Sequence, residues 1–112
     1  MSRDITKKQR AEMRKLHGLA WEREVEKELG NLESSFRSWR NGEIDAFDLS
    51  ELIHKFHDGK SRDLYNFYTH NNSPFAVPSA IAKGIIAEAE VSKGLLEVIE
   101  ITIQNIREQY DE

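Results

Sequence analysis

The chain contains no cysteine, which excludes disulfide bridges, thiolate metal ligands and a cysteine nucleophile, and fits a reducing compartment. Its glycines, Gly18, Gly30, Gly42, Gly59, Gly84 and Gly94, are scattered singly, so no glycine-rich loop that could cradle a phosphate is present. No Gly-x-Ser-x-Gly elbow occurs either, which leaves nucleophilic catalysis without support. No apolar run reaches the roughly 18 residues needed to cross a bilayer. The N-terminus is charged where a secretion signal would be apolar. A cytoplasmic protein without membrane contact is the expectation. Internal repeats and low-complexity tracts are also missing.

What remains is helical periodicity. One domain is the natural count for 112 residues, and residues 5 to 41 read as a single long amphipathic helix. At about 100° per residue, Ile5, Met13, Leu16 and Ala20 fall within about 80° of one another. Trp21, Val25, Leu29, Leu32, Phe36 and Trp39 form a second, equally narrow cluster whose centre lies about 150° away on the same measure. The step falls near Gly18, which costs a helix about 1 kcal/mol relative to alanine. Either the helix breaks there, or it runs through and buries opposite sides at its two ends. The second stripe passes Gly30 without losing phase, so the helix is continuous there. Unbroken, it is about 55 Å long, whereas a compact chain of this length has a radius of gyration of about 13 Å. Such a rod overhangs its own body, and the simplest cover for the overhang is a second copy in a two-fold contact. A dimer is therefore expected, with Met13, Leu16, Ala20, Trp21 and Val25 at its interface.

The rest, residues 43 to 112, is expected to be a compact helical body, giving an all-α bundle of four to five helices. Asn41-Gly42 stops the first helix. Asp45 caps the second, Asp48 reaches back to it, and Ile44 and Leu49 have staple spacing. Leu49, Leu52, Ile53 and Phe56 share one face. Truncating Leu52 or Phe56 to alanine should cost 2–5 kcal/mol, in the range for core deletions. Asp58-Gly59 is expected to end this helix, and Ser61 to cap a short third one bearing Leu64, Tyr65, Phe67 and Tyr68. His70-Asn71-Asn72-Ser73 reads as a loop. A fourth helix starting at Ser73-Pro74 or at Pro78 carries Ile81, Ala82, Ile85, Ile86 and Ala89. In the last segment, β-branched residues 98 to 103 give a strand signal. Against it, Leu95, Leu96, Ile99, Ile103, Ile106 and Tyr110 share a helical face and no other segment offers a pairing strand, so a helix is expected.

Two polar groupings could carry chemistry. Glu51, His54 and Asp58 fall on one helical face, with His57 and Asp63 nearby, and Glu51 to His54 has the Glu-x-x-His spacing of di-metal carboxylate bundles. Only one copy of that spacing exists, where such a site needs two and further glutamates. His57-Asp58 resembles the His-Asp pair of metal-dependent phosphohydrolases, but the additional histidines of such sites have no counterpart here. Arg62, Asp63, Tyr65 and Tyr68 could line a small anion pocket, although tyrosines so spaced commonly belong to a core edge. No cofactor is implied.

The formal charge of −4 hides an asymmetry. Arg3, Lys7, Lys8, Arg10, Arg14 and Lys15 against Asp4 and Glu12 make residues 1 to 15 net +4, leaving −8 on the others. A basic arm can reach phosphates or an acidic protein surface, but no aromatic is interleaved for base stacking, so nucleic acid is not expected as the partner. The sequence thus points to a non-catalytic helical module that self-associates and contacts another protein. A metal- or ligand-binding module or enzyme at Glu51, His54, His57 and Asp58 is the alternative, and nucleic-acid contact through the basic arm a third.

Overall fold

The structure is a computed structural model that describes residues 5–70 and 75–110. Its first element, α1, spans Lys7–Arg40, 34 residues without interruption. Thr6 starts it through a reciprocal capping box: the Gln9 amide donates to the Thr6 hydroxyl at 3.1 Å and the Thr6 amide to the Gln9 side chain at 3.0 Å. Gly18 lies inside the helix, flanked by Leu16 and Ala20, both buried. Packing of those two neighbours holds the backbone helical across a residue whose intrinsic preference opposes it. The helix ends at Asn41 in a Schellman turn. Gly42 takes φ +77°, its amide bonds the Trp39 carbonyl and the Glu43 amide the Ser38 carbonyl.

The chain then turns back along α1. Asp45 caps α2, Ala46–Lys55, in the expected box with Asp48 (2.8 and 3.1 Å). The expected stop at Asp58-Gly59 does not occur. A π-helical turn, Phe56–Ser61, leads directly into α3, Arg62–Thr69, and Ser61 is itself helical with no side-chain cap. Register explains the turn. On an unbroken α-helix, Leu64 and Tyr68 would lie about 100° out of line with Leu49, Leu52 and Phe56, and one extra residue per turn rotates them back by about that amount. The returning limb therefore keeps one apolar edge toward α1 over its whole length.

Residues 71–74, and with them most of the expected loop from His70 to Ser73 and the expected helix start at Ser73-Pro74, lie outside the described residues, as do residues 1–4 and 111–112. Helix α4, Ala76–Ala82, places Pro78 in its first turn, where a missing amide is no loss. It ends sooner than its apolar pattern implies. Gly84 at φ +80° closes a second Schellman turn, with its amide on the Ile81 carbonyl and the Ile85 amide on the Ala80 carbonyl. Ile85, Ile86 and Ala89 thus follow the helix instead of extending it, Ala89 within a short 3-10 turn, Glu88–Glu90. Helix α5, Lys93–Tyr110, includes residues 98 to 103. Among the described residues there is no strand, and the fold is all-helical.

The core gathers Leu16 and Ala20 of α1, Tyr68 of α3, Ala76, Val77, Ala80 and Ile81 of α4, Ile86, Val91, and Leu95, Ile99 and Ile103 of α5. It sits at the end of the α1 to α3 hairpin where α1 begins. The other end projects: the molecule measures 61 × 30 × 22 Å with a radius of gyration of 17.7 Å, against about 13 Å for a compact chain of this length.

Gly18 faces open space, with nothing within 4 Å of an added Cβ. Gly18→Ala should therefore raise stability by up to about 1 kcal/mol in denaturant titration, whereas a break at this glycine would make the change neutral or damaging. Leu95 is fully buried and should cost about 2–5 kcal/mol as alanine. Leu52 is 37 % exposed, which corrects its expected cost to below that range.

Candidate functional site

The polar groupings of the returning limb do not converge. Glu51, His54, His57 and Asp58 are all exposed. Glu51 pairs with Lys55 and Asp58 with Arg62, both at 3.6 Å along one helix edge. Among the described residues, no group of three or more histidine and acidic side chains is placed to hold a metal ion. The proposed pocket set also separates: Arg62, Asp63 and Tyr65 face solvent while Tyr68 is buried. The described part of the basic arm, Lys7, Lys8, Arg10, Arg14 and Lys15, is exposed, and Arg3 lies outside the described residues.

The best-ordered polar contacts join α1 to the body. Arg23 forms a two-pronged pair with Glu90 (2.6 and 2.9 Å) and donates to the Ile85 carbonyl at 2.8 Å. Glu90 also accepts from the Ala87 amide at 2.8 Å. The Arg23 hydrogen bonds, then the Ala87 amide, hold the Glu90 carboxyl down from the ordinary 4.5 to about 2. Glu12 receives the Ser92 amide and hydroxyl at 2.7 and 2.6 Å, tying α1 to the start of α5. Tyr68 stacks on Trp21 with ring centroids 5.8 Å apart, meets His17 edge-on, and donates its hydroxyl to Glu24. Burial, then the Glu24 hydrogen bond, pushes the Tyr68 hydroxyl pKa upward. Among the described residues no buried side-chain nitrogen or oxygen lacks a partner, so these groups serve as fasteners.

The expected oligomer contacts divide in an informative way. Leu16 and Ala20 are buried by the chain's own helices, and Met13 and Trp21 pack against the same core. Leu16 and Ala20 are thus buried within one chain, and Met13 and Trp21 partly so. Val25 is half-buried.

Exposed apolar side chains of α1 lie further along the helix. Leu29 is 47 % exposed, Trp39 41 % and Phe36 38 %. Leu29, Leu32 and Phe36, with Glu33, Arg37 and Arg40, line an open groove of about 610 Å³ along α1. The returning limb does not cover it, because α1 turns a different side to that limb: Glu28, Asn31, Leu32 and Ser35 line the seam with Leu52, Lys55, Phe56 and Lys60. Leu32 borders both grooves and connects the two limbs' apolar edges. Periodicity alone identifies Leu29, Leu32, Phe36 and Trp39 as one stripe. What it leaves open is which of the two stripes the chain covers itself, and the polar composition of the seam, Glu28, Asn31 and Ser35, was the available signal.

No helix among the described residues is long and apolar enough to cross a membrane. No family model matches the chain, and neither a curated protein nor a solved structure does so.

The Arg23 to Glu90 fastener has a pH signature. Because the folded state lowers the Glu90 pKa, its contribution is fully present above about pH 4.5 and is lost as pH falls toward about 2. Thermal unfolding of Glu90→Gln should therefore lie below wild type at neutral pH, with the gap closing through that acid window. A gap independent of pH would mean that the ion pair contributes nothing.

Proposed function

We propose that this chain is a non-catalytic helical interaction module that self-associates, with the bare apolar face of the α1 hairpin as its working surface. The observation that carries the reading is the groove along Leu29, Leu32 and Phe36, rimmed by Glu33, Arg37 and Arg40. A stripe of large apolar side chains on a projecting limb is destabilised by water unless another chain covers it. An apolar centre within a charged rim is also the usual anatomy of a protein contact. The fastening of α1 to the body by Arg23, Glu12 and the Trp21 to Tyr68 stack supports the same reading, because it presents the limb in one rigid orientation. Preorganisation of this kind lowers the entropic cost of association.

Sedimentation velocity of the intact 13.0 kDa chain at micromolar concentration should give the mass of two chains. Phe36→Glu should return it to one chain while leaving the circular dichroism spectrum and the melting midpoint of the body in place, since Phe36 is outside the core. Trp21 is unsuitable for this test because it packs against that core. A single-chain mass at every concentration would contradict the proposal.

A further inference from the structure

The order of charges along the bare groove carries more than its apolarity. From the N-terminal end it runs Leu29, Leu32, Glu33, Phe36, Arg37, Arg40, with the acid on one side of Phe36 and both cations on the other. Building on the self-association proposed above, we infer that two copies meet antiparallel through this groove, about a two-fold axis level with residue 35 of α1. Glu33 of each copy then faces Arg37 of the other.

A two-fold contact sets residue i against j and j against i. With the axis at that level, Glu33 meets Arg37 twice, and Phe36 lies beside the axis against its own counterpart. A parallel arrangement instead sets Arg37 against Arg37 and Arg40 against Arg40, an apposition of like charges that disfavours it. Glu33 and Arg37 already pair within one chain, but at 3.7 Å and with both side chains well exposed. A pair so solvated is weak and free to exchange partners.

Charge exchange tests the register. Glu33→Arg alone, and Arg37→Glu alone, should each weaken dimerisation about tenfold or more in sedimentation equilibrium, since each homodimer then holds two like-charge contacts. An equimolar mixture should restore association, because both contacts in the mixed dimer are again opposite in sign. The cysteine-free chain permits a second readout. Leu29→Cys and Arg40→Cys come level with each other to within about 2 Å along the axis across the two-fold, whereas either alone is separated from its own counterpart by about 15 Å or more. Under mild oxidation the mixture should therefore form a disulfide dimer that neither variant forms alone. Cross-linking of each variant with itself would establish a parallel pairing and overturn the inference. A wild-type dimer unaffected by the charge variants would overturn it too while leaving self-association standing, and a chain that is monomeric throughout would overturn both.

Discussion

A straight helix cannot bury two opposite sides of itself against one small body. That constraint governs this molecule, because α1 is continuous over 34 residues and its apolar stripe rotates by about 150° between its two halves. The first half places Leu16 and Ala20 in the core with residues of α3, α4 and α5. The second half then necessarily carries Leu29, Phe36 and Trp39 away from that core. Neither bending at Gly18 nor shortening the rod relieves the conflict, since the residues on both sides of the glycine are held by packing.

The returning limb resolves only part of it. Its π turn keeps Leu49, Phe56, Leu64 and Tyr68 on one edge, so the limb follows α1 from the tip to the core. Yet the edge of α1 that it meets is polar at Glu28, Asn31 and Ser35, and Leu49 is the only buried side chain of α2. The hairpin is thus a thin two-helix layer held at one end, and an apolar face on such a layer is stabilised by a second layer. The fasteners at the core end, Arg23 with Glu90 and Glu12 with Ser92, set the direction in which that face points. In this way local hydrogen-bond geometry at the body determines the presentation of a surface at the far end of the rod.

Much of this was legible in the amino-acid order. The two stripes, the Asp45 and Asp48 box, the Asn41-Gly42 stop and the helical nature of residues 98 to 103 all follow from periodicity and capping chemistry. Three features did not. Asp58-Gly59 looks like a helix exit because local preference favours one there, but tertiary packing of Phe56, Leu64 and Tyr68 overrides it through the π turn. Gly84 ends α4 by adopting positive φ, which competes with an apolar pattern that continues to Ala89. The exposed stripe was the hardest to place: both halves of α1 carry large apolar side chains, and only the long-range packing of the body decides which half is covered. The Glu51, His54, His57 and Asp58 grouping illustrates the converse, since helical spacing brings these residues to one side of a helix without bringing any second element over them.

The central claim is that the groove along the distal half of α1 is covered by another chain and not by its own, and an indole placed at Phe36, which lines that groove, reports on it directly. In a Trp21→Phe, Trp39→Phe background carrying Phe36→Trp, which leaves a single indole in the groove, emission and iodide quenching can be followed as the protein is diluted. A blue-shifted, shielded indole that turns red-shifted and accessible on dilution, with the helical signal unchanged, is the predicted result. An indole that is equally accessible at every concentration would contradict the account.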